Sequence, residues 1–379
     1  MKAVIAIDSF KGSISSVEAG NAVKNAFESV FDGKAVVFPV SDGGEGTVET
    51  VVNGLNGETV RLSVTGPLGT KIDSFYGIIN NGGTAVIEMA AASGLTYVPD
   101  NMRNPMNTTT FGVGEIILDA VNRGVRDFVI GLGGSATNDG GLGMLSALGV
   151  KFKDSKAKTC GIFGRDLFYV DSVDMSCMPE AIKECTFRAA CDVKNPLCGL
   201  NGASAVFGPQ KGADKKMVDE MNKALCKYAQ ICEKTLEITC INAEGAGAAG
   251  GLGFALMAFL GAKLMPGIDL VLDMLCIEKE IKTADIVITG EGRLDFQTVM
   301  GKAPGGVAAL AKKYNIPVIA FCGCIGEGAE KCNTAGIDAY FPIVRGAVSL
   351  EEAMDKNNAI ENIYGTAVQV LRLVKCIKK

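Results

Sequence analysis

The 379-residue chain carries 37 Lys and Arg against 42 Asp and Glu, a net charge of −5, with 48% hydrophobic and 21% charged residues. At roughly 100–200 residues per domain, this describes an ordered globular chain of two domains, or three. It contains no histidine, which excludes an imidazole base, a Ser-His-Asp triad, a Cys-His pair and any His-ligated metal. Catalytic proton transfer then falls to Asp, Glu, Lys, Tyr or Cys. No basic run follows a phosphate backbone, so nucleic acid is not an expected partner.

The 13 cysteines include no C-x-x-C pair, Cys322 and Cys324 being the nearest neighbours. They read as reduced, mostly buried thiols of a cytoplasmic protein. The apolar run at residues 3–7 is too short for a signal peptide. The long apolar stretch 255–275 is broken by Lys263, Pro266 and Asp269, so no membrane span is expected.

In chain order, residues 3–7 form a buried strand. Ser15 and Glu18 make a capping box that opens a helix to about Val30. Residues 35–40 are the next strand, and Asp42 and Glu45 fit the N-cap and third position of a helix ending near Gly54. Three short strands follow, at 58–64, 71–79 and 84–89. Gly-Pro-Leu-Gly and Asn-Asn-Gly-Gly separate them, which predicts antiparallel hairpins. A helix at 108–123, a strand at 127–131, and a glycine loop leading to a helix through Leu148 come next. Residues 151–180 are weakly patterned. A strand at 186–190, an amphipathic helix at 214–234 and a helix at 250–264 follow. From residue 284 alternation returns: strand 286–289, helix 305–313, strands 318–322 and 339–343, and a helix from Asn358 to about Leu373.

Two early parallel-type strands plus three after residue 284 make a five-stranded doubly wound sheet, an α/β architecture. The expected division is a discontinuous domain, 1–60 plus 284–379, with a mixed α/β domain inserted at 61–283. Two consecutive domains cut near residue 150 are the competing arrangement.

Candidate site residues cluster just past strand ends, where open α/β sheets bind ligands. Asp8, Ser9, Lys11 and Ser13 follow the first strand; Asp8 suits a metal or a proton, and Lys11 suits a phosphate or carboxylate. Asp42, Gly43 and Gly44 follow the second, where paired glycines admit a ligand to the backbone. Gly133, Gly134, Ser135, Thr137 and Asn138 form an anion nest with added donors. Asp192 is a candidate base, with Lys194 and Lys211 as anion partners. Gly247, Gly250 and Gly251 lie in a glycine-rich helix start that serves either close packing or an anion. Glu291, Arg293, Asp295, Gln297 and Lys302 crowd one strand end, a mix suited to a metal-bridged phosphate. There is no P-loop, and the dinucleotide-like pattern at 245–250 lacks its strand and acid. Nests, acids with basic partners and no histidine point together to phosphoryl transfer, in which a carboxylate serves as base.

The motifs D-S-F-K-G-S at 8–13, S-D-G-G-E-G-T at 41–47, T-G-P-L-G at 65–69, E-M-A-A-A-S-G-L at 88–95 and G-G-S-A-T-N-D-G-G at 133–141 occur in order. C-D-V-x-N-P-L at 191–197, F-G-P-Q-K-G-A at 207–213, G-A-G-A-A-G-G-L-G at 245–253 and I-T-G-E-G-R-L-D-F-Q-T at 288–298 follow, and G-K-A-P at 301–304 closes the series. Together they resemble the bacterial glycerate kinases of the glyoxylate-utilisation type, from end to end. Ile7, where that family often has Pro, and the shortened stretch 151–180 depart from it.

The resemblance implies ATP- and Mg²⁺-dependent phosphorylation of D-glycerate to 2-phosphoglycerate, a flavodoxin-like domain with an inserted α/β domain, and small-molecule partners. The assembly is left open between a monomer and a homodimer, and no membrane partner is expected. On this resemblance, Asp192 or Asp295 takes the hydroxyl proton. Lys11, Arg293 and Lys211 bind the carboxylate and the transferring phosphoryl, and the nests at 133–141 and 247–251 hold anions. Asp8, Asp42 or Glu291 holds Mg²⁺. The alternatives are a kinase for another small hydroxy acid, or a non-catalytic sensor of a nucleotide or sugar acid.

Overall fold

The computed structural model describes residues 1–378. Its strands, in chain order, are β1 (Lys2–Ile7), β2 (Lys34–Pro39), β3 (Glu58–Thr65), β4 (Lys71–Ile79), β5 (Thr84–Glu88), β6 (Asp127–Gly131), β7 (Lys151–Lys153), β8 (Ser172–Asp174), β9 (Thr186–Ala190), β10 (Lys263–Met265), β11 (Ile286–Leu294), β12 (Val318–Ile325) and β13 (Ala339–Pro342). The described residues divide into two compact units.

The first unit comprises residues 1–42, 53–55 and 266–379. Its five-stranded sheet has the order β13-β12-β11-β1-β2, every pair parallel. Renumbered within the sheet, that is 2-1-3-4-5, the flavodoxin-like doubly wound order. Ala3, Ile5 and Ile7 of β1 and Ile286 and Ile288 of β11 point to one face. There they meet helix Ser16–Val30, through Val23 and Phe27, and helix Lys356–Ile377, through Ile363 and Leu371. Helix Ala303–Lys312 packs on β11 and β1. The Ser15–Glu18 capping box forms as the spacing predicts.

The second unit comprises residues 43–52 and 56–265, around a six-stranded mixed sheet, β10-β9-β6-β5-β4-β3. β3, β4 and β5 are antiparallel neighbours, as their turns predict. β5, β6, β9 and β10 run parallel, so their carboxyl ends share one edge.

Several expectations are corrected. The helix after β2 begins at Thr47, and Asp42 does not cap it. Its first turn is held instead by Glu88 at the end of β5, whose Oε1 accepts the Val48 N–H (2.8 Å). Residues 43–52, expected with the first domain, therefore group with the second unit, and 266–283 group with the first. The helix expected over 250–264 spans only Leu252–Leu260; Gly261 ends it at φ +62°, and the chain then forms edge strand β10. β11 runs five residues past its expected end, so Glu291 and Arg293 lie on the strand, not beyond it. Of the cysteines, three are buried, six half-buried and four exposed, fewer buried than expected. Among the described residues, no helix is long and apolar enough to cross a membrane.

Candidate active site

In the first unit, β1 and β11 are the neighbours at which strand order reverses, the place where open α/β sheets take ligands. Ile7 pairs with Gly290, and the Asp8 N–H donates to the Gly290 carbonyl (2.9 Å). Asp8 and Glu291 therefore leave the last rung together. Asp8 is buried, and its carboxyl is pushed up to about 7, first by burial and then by the charge of Asp42. The Ser9 N–H (2.6 Å to Oδ1) and Lys11 oppose that rise. Burial likewise raises Glu291, against the Thr298 hydroxyl (2.5 Å) and the Lys302 ammonium (3.5 Å).

Thr298 ties the two acids of the β11 motif together, because its Oγ1 also accepts the Asp295 N–H (3.1 Å). Asp295 is buried, accepts the Gln297 backbone N–H (2.9 Å) and lies 3.4 Å from Arg293 Nε. A cavity of about 390 Å³ opens beside this cluster. Lys11, Arg293 and Lys302 supply its cations, Asp8, Asp42 and Glu291 its acids, and Ser9 and Ser13 its hydroxyls. Ser13 Oγ is buried with no partner, a polar atom that a ligand would satisfy. Asp295 and Gln297 do not line the cavity, and the Gln297 side chain points to solvent.

In the second unit, Glu88, Gly131 and Ala190 end β5, β6 and β9 in register. The loops that follow β6 and β9 meet around Lys211. Lys211 is buried, and its Nζ donates to Ser135 Oγ (2.8 Å) and the Thr137 carbonyl (2.7 Å). Burial pulls its ammonium down to about 7, with only the charge of Asp139 opposing. Asn138 donates to Ser204 Oγ (2.8 Å), and its buried Oδ1 has no partner. Gly133 and Gly134 are exposed beside Ser135, and a Cβ on Gly133 would stand 3.6 Å from Gly44 Cα. Gly43 also faces this loop, its carbonyl 2.7 Å from a Cβ on Gly131.

Asp139 is a structural clamp. Its Oδ2 accepts from the Thr110 N–H and hydroxyl (both 2.8 Å), and its Oδ1 from the Gly141 N–H (3.1 Å). The glycines at 247–251 serve close packing. A Cβ on Gly250 would sit 2.0 Å from the Thr137 carbonyl, one on Gly251 2.8 Å from Gly140 Cα, and the Gly247 N–H donates to Asn195 O (3.0 Å). Asp192 is exposed just past β9, and Lys194 is taken up by an exposed ion pair with Glu244 (3.2 Å).

The candidate residues thus fall into two sets: Asp8, Ser9, Lys11, Ser13, Asp42 and the β11 motif in one unit, and the nest, Asp192 and Lys211 in the other. Sequence reasoning missed Ser204 and Glu88, which hold Asn138 and the first turn of helix Thr47–Gly54. Their polar type at buried positions is visible only once burial is known.

Residues 3–375 match the sequence model of the glycerate kinase family. The chain belongs to the glycerate kinase family. A glycerate kinase of Bacillus subtilis (strain 168) is 48% identical over 100% of this chain and 99% of its own. A glycerate 2-kinase of Escherichia coli (strain K12) is 47% identical, covering 96% of this chain and 95% of its own. A crystal structure of a 44%-identical protein from Salmonella typhimurium LT2 covers 100% of this chain and 99% of its own, with a TM-score of 0.92. As a member of this family the chain is a kinase, and kinases draw on a nucleotide donor. Acids, cations and backbone nests at strand ends are the equipment such transfer uses.

Proposed function

We propose that this enzyme transfers the γ-phosphoryl group of ATP to D-glycerate, yielding 2-phosphoglycerate, in the breakdown of glycerate and glyoxylate. The observation that carries this reading is the end-to-end similarity to named glycerate kinases, one of them a glycerate 2-kinase. The geometry of the Asp8–Asp42–Glu291 group supports a place for Mg²⁺. Burial first, and then the charges of Asp42 and Glu291, raise the Asp8 carboxyl, and a cation held among the three would offset that repulsion. Among the described residues no group of three or more Cys, Asp or Glu is placed to hold a metal ion by itself. Mg²⁺ in phosphoryl transfer needs none, because it is held by one or two carboxylates plus substrate phosphates.

When bound, Mg²⁺ would neutralise charge on the transferring phosphoryl. Lys11, Arg293 and Lys302 would bind anionic oxygens, and Lys211 with the 133–138 loop would hold a second anionic group. Asp192 or Asp295 would accept the hydroxyl proton. The test is ADP release from Mg-ATP with D-glycerate, with L-glycerate, tartronate and glycolate as controls, and the product read by phosphorus NMR. Release with D-glycerate alone and a 2-phosphoglycerate resonance are expected. Release with another hydroxy acid instead would shift the substrate, and a 3-phosphoglycerate product would overturn the assigned position.

A further inference from the structure

We infer that the first-unit cavity is the nucleotide site, with the base lying on an apolar wall formed by Val344, Leu350 and Met354 and the phosphates over Lys11, Arg293 and Lys302. This rests on the kinase reading above. The cavity, about 390 Å³, falls in the roughly 300–1,000 Å³ range of pockets that enclose ligands of nucleotide size. Its two sides differ in chemistry. One side carries Asp8 and Lys11, which follow β1, Glu291 and Arg293 on the last part of β11, and Lys302. The other is apolar, with Phe10, Ile343 and Ala359 buried at its base and Leu350 and Met354 exposed on its rim.

The two sides touch. A Cβ on Gly12 would come within 2.8 Å of Met354 Cε, so the thioether reaches over the loop that holds Asp8 and Lys11. The wall is anchored. Ser349 caps helix Leu350–Met354, Asn358 Nδ2 donates to the Glu352 carbonyl (3.1 Å), and Lys356 pairs with Glu18 (2.5 Å) on the helix that follows β1.

A ligand matching this cavity has a flat apolar end and a polyanionic end. A nucleoside triphosphate has both. Glycerate has an anionic end but no apolar face to lay on Leu350 and Met354, so its use of that wall would gain nothing from burial. A methionine at such a wall adds a polarisable sulfur for an aromatic ring.

The test uses the full-length enzyme with the double substitution Leu350→Ala, Met354→Ala; both side chains are exposed, and an unchanged thermal melt confirms folding. The KM for Mg-ATP should rise on the order of tenfold, with kcat and the KM for D-glycerate within about twofold of wild type. Inhibition by adenosine should weaken in parallel, while inhibition by tripolyphosphate holds. A rise in the D-glycerate KM instead, or no change in either, overturns the assignment. Calorimetric titration of MgADP without any acid separates the two readings. Weakened MgADP binding in the variant sustains the nucleotide site even if no hydroxy acid is phosphorylated. Equal binding by both proteins overturns it even if D-glycerate kinase activity is intact.

Discussion

Lys211 is a lysine held in a buried site. A buried ammonium is costly, and the protein meets that cost with a hydroxyl and a carbonyl. Its folded pKa, about 7, lies below the ordinary lysine value of 10.5. Between those values the unfolded chain binds the extra proton, so stability rises with pH across that window and is lost as pH falls back through it. Replacing it by Met removes the slope. Denaturant melts of Lys211→Met and wild type should therefore differ by an amount that changes with pH between 7 and 10, by up to ~1.4 kcal/mol per unit. A constant difference would mean that the amine is not neutral in the fold. Turnover should fall on the order of a hundredfold in the same variant, through loss of a preorganised donor to an anion. Arginine should not restore it, because the buried pocket fits one nitrogen bonded to Ser135 and Thr137, not a planar fork.

At the level of elements, strand β11 decides the first-unit site. Val287 and Ile288 announced a strand, yet Gly290-Glu-Gly-Arg read as a loop because Gly and charged residues weaken local strand propensity. Pairing with β12 on one side and β1 on the other carries the strand through to Leu294. The helices and strands that sequence reasoning placed well were those with strong local patterning, such as the capping box at Ser15 and the hairpins at 58–89. Those it misplaced were set by tertiary partners, such as Glu88 at the start of helix Thr47–Gly54. The site follows the same rule. Asp8, Lys11, Glu291 and Lys211 were legible as charges after strands, while Ser204 was not, because a buried hydroxyl has no local signature. Thr298→Val keeps the shape and removes the donor to Glu291 and the acceptor for the Asp295 N–H. It should cost about 1–3 kcal/mol of stability by chemical denaturation, whereas Thr298→Ser should stay near wild type. Equal loss in both variants would point to packing of the methyl group rather than the hydroxyl.

The whole molecule is two units, each with its own hydrophobic core, and the chain passes between them at positions that composition does not mark. The five strands of the first unit were readable because each carries an apolar run; the unit's boundaries were not, since helix Thr47–Gly54 is apolar enough for either core. The two candidate bases belong to different units. Asp295, buried beside Arg293, belongs to the first unit, and Asp192, exposed past β9, to the second. A base must reach the hydroxyl whose proton it takes, so at most one of them serves in that step. Asp295 is held in place by a backbone N–H, and Asn in its stead keeps that bond through its carbonyl oxygen. Asp295→Asn and Asp192→Asn should therefore both fold, with melts close to wild type. One of them should lose kcat on the order of a thousandfold with D-glycerate and Mg-ATP, and the other should shift chiefly KM. Loss of kcat in Asp192→Asn would place the reacting hydroxyl beside the nest and Lys211; loss in Asp295→Asn would place it beside the β11 cluster. Near wild-type turnover in both would remove the carboxylate base from these two positions.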